Sequence, residues 1–488
     1  MPRAGAVGTL ASPGMTRVRL VRASCALVAA VLPVGVSACA GDKKEEQRPS
    51  ESETVHKAPP AEPPAPPETS VRVLDGDSSK PIEGALVTVA RHSAFTGPDG
   101  IARLEVPRER VRLGISAPAY GREARRLDFR QHLVGTVRVW RPDLQWPMYG
   151  VTPARTQVHS GIKLRPPFRV VWSRSLHGLL EFPAVVWNGV AYVNNIHGTL
   201  TALSMRNGRV LWSKRLGTLA ASSPAVDPRR GVLVVTTMSP GNVNVISMKT
   251  GHVRWRYATG RAEPSPVIRD GVAYFGATNG NVYALDLDRR RPRWIFRGGA
   301  KITSSPALVG NRVYIGDYAG RVFALNARTG HRVWTGSAGT RVYGTVAVAG
   351  GRVFAPSVFS GLSALSARSG RLLWRIGVGA YLYSSPAVFR NRVYFGTYAG
   401  LVYCANARSG RVLWTRPAGG RVSGGVEVVA GLVYAASLKD TMNAWHWRTG
   451  RRVWTFPHGE YVPVSGNGSR LLLHGYSRIW AVRPKHGR

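Results

Sequence analysis

The chain has 488 residues, and 67 lysines and arginines against 26 aspartates and glutamates give it a formal net charge of +41. Three cysteines exclude a disulfide framework, and no Cys-x-x-Cys-His haem motif or zinc-type cluster is present. A charge of this sign draws acidic partners, of which nucleic acid is the weakest candidate, because no recognition helix, RNA-recognition signature or zinc finger accompanies it.

Residues 1–39 read as an export signal. Arg17, Arg19 and Arg22 precede an apolar run from Ala23 to Gly35 that is too short to span a bilayer. Val36-Ser37-Ala38-Cys39 resembles the bacterial lipobox, which implies cleavage before Cys39 and acylation of its thiol. The expected product is an extracytoplasmic lipoprotein, anchored to the cell membrane by its acyl chains. Residues 40–69 are charged and then proline-rich, with almost no bulky apolar side chain, so they read as a disordered tether. At roughly 3.1 Å per residue such a spacer reaches up to about 90 Å.

Residues 70–142 alternate in the manner of strands, at Val71-Arg72-Val73 and Leu86 to Val89, between turn clusters such as Thr96-Gly97-Pro98-Asp99-Gly100. The pattern resembles the carboxypeptidase regulatory-like β-sandwich, a small module that implies a spacer or adhesive role and no chemistry.

From residue 146 to 484 a tryptophan recurs at Trp172, Trp212, Trp255, Trp294, Trp334, Trp374, Trp414 and Trp454, at spacings of 40, 43, 39, 40, 40, 40 and 40. Each closes a run of short apolar segments separated by Gly, Asn-Arg or Thr-Gly turns, four strands to a period, which is the grammar of a propeller blade. At one quasi-equivalent place, a side chain burying roughly 150 to 250 Å² serves as a structural peg between neighbouring blades. The segment after Trp454 supplies three strands, and Phe168 to Leu176 supplies an isolated fourth of the tryptophan type. Pairing the two completes an eighth blade and removes exposed strand edges. The expectation is an all-β chain with an eight-bladed β-propeller of four-stranded blades.

The repeat resembles the quinoprotein, or PQQ-like, family, through Val282-Tyr-Ala-Leu-Asp286, Val322-Phe-Ala-Leu-Asn326 and the Thr-Gly or Ser-Gly before Trp334, Trp374, Trp414 and Trp454. The resemblance implies one of two functions. One group comprises dehydrogenases of alcohols and sugars that use pyrroloquinoline quinone with calcium. The other is non-catalytic and is typified by BamB, a lipoprotein of outer-membrane assembly.

Only Cys404 remains after the signal and lipobox, on a third strand where sister repeats carry Ala or Leu, so it reads as a buried structural thiol. Arg209, Arg332, Arg371, Arg411 and Arg451 fall at third-to-fourth-strand turns, and Arg312, Arg352 and Arg392 at first-to-second-strand turns. In an up-and-down blade both sets emerge on one face of the disc.

The fourth-to-first-strand loops open on the other face. Aligned on Ser265-Pro266, Ser305-Pro306 and Ser385-Pro386, they place Arg261, Lys301, Arg341, Tyr381 and Arg421 at one repeated position, with Tyr461 a looser sixth. Glu263, Tyr343 and Tyr383 lie nearby. Cations and phenols converging on a channel mouth suit an anionic ligand.

The vicinal cysteine pair of the quinoprotein dehydrogenases has no counterpart, and the propeller acids are scattered, most aspartates sitting at turns. No catalytic or metal-ligating residue is therefore expected, and no cofactor. The preferred reading is a tethered, monomeric scaffold that binds an envelope protein or an anionic polymer. A quinone-and-calcium dehydrogenase and an envelope sensor or adhesin stand as alternatives.

Overall fold

The computed structural model describes residues 69–104, 109–130 and 133–485. The expected signal, the acylated Cys39 and the tether lie outside the described residues.

The first strand, Thr69–Asp75, begins one residue before the boundary read from the sequence. It pairs antiparallel with Ile101–Leu104 and parallel with Val134–Val139. A second sheet runs in the order His92–Phe95, Leu86–Val89, Arg110–Ala117, Gly121–Asp128. Val71, Val73 and Val137 from one sheet and Val87, Leu113 and Ile115 from the other share a buried core. Their alternation follows from the two-residue period of a strand with one wet face.

Beyond it, seven four-stranded antiparallel units follow one another over 185–215, 225–258, 267–297, 307–337, 347–376, 387–417 and 427–456. An eighth sheet is assembled from both ends of this region, with Val464–Gly466, Leu471–His474 and Arg478–Pro484 completed by Phe168–Ser175. Trp172 lies opposite Ala481, and Val170 opposite Val482. The innermost strands Val185–Trp187 and Val464–Gly466 lie side by side, so the first complete sheet meets the last.

One device recurs in each of these eight sheets. The third and fourth strands slip register next to the residue that faces the tryptophan, as at Ala324/Leu325 opposite Trp334 and Ala481/Val482 opposite Trp172. Such a bulge sharpens the local twist. The tryptophan then lies across the boundary: Trp294 Nε1 donates to the Ala327 carbonyl of the next sheet at 3.0 Å and Trp334 Nε1 to Ala367 at 3.1 Å. Tyr274 and Tyr314 hydroxyls share those same two acceptors. The indole also rests on the glycine of the following Thr-Gly or Ser-Gly turn. A Cβ on Gly370 would come within 2.5 Å of Trp334, and one on Gly330 within 2.6 Å of Trp294. The tryptophan and the dipeptide are thus two halves of one joint.

The N-terminal pair of sheets docks on the turn side of this array. Glu123 accepts from Asn188 Nδ2 at 2.8 Å, and Asp77 accepts from Asn467 Nδ2 at 2.8 Å. Asn188 and Asn467 sit in first-to-second-strand turns of the first complete sheet and of the shared one. The fourth-to-first-strand loops lie at the opposite ends of these strands.

Candidate functional site

The centre of the ring is occupied by the chain itself. Residues 146–159, given no role by the sequence, run across the axis and meet one innermost strand after another. The amides of Val186, Val226, Leu308, Val348, Val388 and Val428 donate to the carbonyls of Trp146, Pro147, Pro153, Ala154, Thr156 and Gln157, at 2.7 to 2.9 Å. Val158–His159 then pairs parallel with Glu427–Val429 as a fifth strand. Each amide would otherwise be an unpaired donor on an inner edge, at about 1–3 kcal/mol apiece.

Arg155 pins this axial segment. Its side chain is wholly buried, with Nε on the Pro306 carbonyl at 2.9 Å, Nη2 on Ser265 and Pro266 at 2.8 and 2.9 Å, and Nη1 on Tyr149. Its fixed fork matches four carbonyls from three places in the chain. Burial without a carboxylate pushes the guanidinium down to about 9, so it stays charged at neutral pH.

Above this floor lies a well, lined by Tyr149, Glu181, Glu263, Tyr343, Tyr383 and Tyr461 together with small residues of the loops. The Ser-Pro anchors form a ladder around it: Ser223 N donates to Ser265 Oγ, Ser265 N to Ser305 Oγ and Thr345 N to Ser385 Oγ, at 2.9, 2.9 and 3.0 Å. They fix each loop at the same height.

The repeated loop position is real as geometry. The carbonyls of Arg261, Lys301, Arg341, Tyr381 and Arg421 each accept one amide from a second-to-third-strand turn, from Thr278, Tyr318, Val358, Tyr398 and Leu438. Leu179 and Leu219 hold the equivalent places, accepting from Ile196 and Met238. Of the six residues singled out by sequence, Tyr461 lines the well and the other five do not. Lys301 Nζ sits 4.8 Å over the Tyr318 ring, Arg341 stacks on Tyr318 and Phe359 at 5.2 and 5.5 Å, and Arg421 on Tyr398 at 5.2 Å. Tyr381 is 47% exposed, and Arg261 is also exposed. These residues make a basic and aromatic rim.

Two residues further along, the same loops point inward. Glu181, Glu263, Thr303, Tyr343, Tyr383 and Ser423 follow Leu179, Arg261, Lys301, Arg341, Tyr381 and Arg421 at that spacing and line the well. Tyr343 donates to Glu263 Oε1 at 3.2 Å. Burial, reinforced by Glu263, pushes Glu181 up to about 7. Burial also raises Glu263, against Lys301 and the Tyr343 hydroxyl, which favour its charged form.

Asp286 and Asp317 behave as turn residues. Asp286 accepts the amides of Asp288 and Arg289 at 3.0 and 2.8 Å, and Asp317 those of Ala319 and Arg321 at 3.0 and 2.9 Å. Cys404 is buried, and burial pushes its thiol up to about 11. On the opposite face Arg312 and Arg392 reach backbone carbonyls of Ala367 and Arg448, at 2.8 and 3.0 Å, so part of the basic turn charge is spent on joining sheets.

Comparison with known proteins places this geometry. The family model described as "Outer membrane protein assembly factor BamB" matches residues 169–295, 279–375 and 358–488. The factor of that name from Yersinia pestis is 30% identical over 169 residues, 30% of this chain and 42% of the relative; the chain thus spans less than half the length of that curated relative. The crystal structure of BamB from Moraxella catarrhalis superposes with a TM-score of 0.56 at 17% identity, over 66% of this chain and 99% of that one. The quinohemoprotein alcohol dehydrogenase of Comamonas testosteroni superposes with a TM-score of 0.60 at 14% identity, over 70% of this chain and 82% of that one. At such identities the structural likenesses establish the fold.

Proposed function

The chain belongs to the family of outer membrane protein assembly factor BamB, and from that premise we propose that it is a membrane-tethered, extracytoplasmic, non-catalytic scaffold. Its working face carries the fourth-to-first-strand loops. The observation that carries this reading is the axial segment: with six innermost strands hydrogen-bonded to residues 146–157, what the ring offers a partner is a rimmed face. The N-terminal pair of sheets contacts turns on the opposite side, through Glu123 and Asp77.

The rim gives the partner its sign. Arg261, Lys301, Arg341 and Arg421, with Tyr381 between them, suit an acidic protein surface, because exposed cations held on ring faces steer association while the aromatic groups supply contact area. An envelope protein with an acidic docking segment is the partner this predicts, and the acylated Cys39 would hold the scaffold beside it.

A quinone with calcium fits the same site poorly. Calcium takes six to eight oxygen ligands, whereas among the described residues no group of three or more His, Cys, Asp or Glu is placed to hold an ion. Tyr149 lines the well, and its backbone carbonyl accepts from the buried Arg155 guanidinium. No catalytic step is derived through the quinone.

Photo-crosslinking in intact cells tests the reading, with benzoylphenylalanine placed at Tyr381 on the rim or at Arg411 on the opposite turns. The expected product is one envelope protein captured from position 381 and lost in the K301E/R341E/R421E variant. Capture from position 411 alone, or capture from 381 that survives charge reversal, contradicts it.

A further inference from the structure

The well differs in chemistry from everything around it. In a chain of net charge +41 its wall carries two glutamates and four tyrosines, and among the described residues no basic side chain lines it. Tyr343 packs edge-on against Tyr383 with centroids 5.3 Å apart, and the aromatic group continues outward through Tyr398 at 5.2 Å from Tyr383 and Tyr318 at 6.4 Å from Tyr343. Phe182 lies edge-on to Tyr149 at 5.4 Å.

Beneath the wall, buried polar groups converge. Gly425 lines the well, and a Cβ there would come within 2.9 Å of the Tyr149 hydroxyl and 3.0 Å of Glu427 Oε1. Glu427 and Gln157 are fully buried. Among the described residues neither carboxylate oxygen of Glu427 meets a hydrogen-bond partner. A buried carboxyl in this condition calls for a completing group, a water or an ion among them.

We propose that the well binds an organic cation, a primary ammonium or guanidinium on an aliphatic stem, with Glu181 and Glu263 as counter-charges and Tyr343 and Tyr383 as aromatic walls. A carboxylate pair supplies charge-assisted hydrogen bonds and the ring faces supply cation–π attraction, while the stem covers apolar wall. The chain uses the same chemistry one layer out, where Lys301 and Arg341 lie over Tyr318. Burial raises both carboxyls, and a bound cation would favour their charged forms. The cation has two sources: a lysine or arginine of a protein docked on the rim, or a free amine. Only the first rests on the scaffold reading.

Titration calorimetry on the full chain separates them, with three probes: a blocked Gly-Lys-Gly peptide, the same peptide with norleucine, and n-butylammonium. The lysine peptide is expected to bind and the norleucine peptide to fail. Removing one carboxylate by Glu181→Gln or Glu263→Gln should weaken binding by about tenfold or more, with near-ultraviolet circular dichroism unchanged as the control for folding. Binding of n-butylammonium without the lysine peptide upholds the well and assigns it to free amines, whatever the crosslinking experiment returns. Absence of heat with both cations, or equal binding by the E181Q/E263Q variant, overturns the proposal.

Discussion

The joint between sheets makes a quantitative prediction at Gly370 and Trp334. Gly370 has φ +76°, a conformation that costs an L side chain about 1–2 kcal/mol. A Cβ there would also stand 2.5 Å from the Trp334 ring, and relieving such a clash in a packed joint costs about 1–3 kcal/mol. Gly370→Ala alone should therefore destabilise by about 2–5 kcal/mol. Trp334→Ala removes an indole that is 8% exposed together with its bond to Ala367, at about 3–5 kcal/mol. In the Trp334→Ala background the clash has gone, and Gly370→Ala should cost only its backbone part, about 1–2 kcal/mol. Urea denaturation of the four proteins at a common m-value closes the cycle, with an expected coupling of about 1–3 kcal/mol. A Gly370→Ala cost that agrees between backgrounds within about 0.5 kcal/mol would refute the joint.

Further outcomes follow from buried titratable groups and from the anchor. His474 is fully buried, which pushes it down to about 4, and its Nε2 accepts the Ala184 amide at 3.1 Å. Its contribution is complete above the ordinary histidine value and is lost as pH falls toward 4, by about 3 kcal/mol in all, so His474→Gln should flatten the acid limb of a stability profile between pH 6.5 and 4. Glu427 runs the other way, since burial raises it well above a normal carboxyl and its ionisation outside the fold favours unfolding as pH rises. Glu427→Gln should stabilise the protein, with a gain in denaturation midpoint at pH 8 larger than at pH 5; an equal gain at both would show that the carboxyl titrates normally. Cys39→Ala should move the protein from the membrane pellet to the soluble fraction, and retention in the pellet would rule out acylation as the anchor.

The blades were legible because their information is local and repeated. A tryptophan, the glycine of the Thr-Gly or Ser-Gly turn that follows it (Trp334 and Gly370, 36 residues on) and the bulge beside it recur along the repeat, so the pattern encodes the joint directly. The loop position of Arg261, Lys301, Arg341, Tyr381 and Arg421 was legible as a place for the same reason. Its direction was not. Residues two apart share a strand-like phase only relative to a backbone whose height is set by the Ser265, Ser305 and Ser385 ladder, and that ladder faces inward through Glu263, Tyr343 and Tyr383. The axial segment carried still less signal. Pro147, Pro153, Ala154 and Thr156 act through their carbonyls, which any residue supplies, and the one informative side chain, Arg155, is a single arginine in a chain that holds 67 lysines and arginines. The wholly buried Glu427 is equally plain in sequence, because nothing in Val426-Glu427-Val428 distinguishes an inward-facing acid from a solvated one.

Hydrogen exchange at the amides of Leu308, Val348, Val388 and Val428 tests the sealed axis most directly. If residues 153–157 fill the centre, these four amides exchange as slowly as those of the second strands and only through global opening, and the full chain shows the same protection with pyrroloquinoline quinone and calcium added. Exchange within seconds at all four, while the second strands stay protected, would mean an open channel and would remove the basis for placing function on the rimmed face.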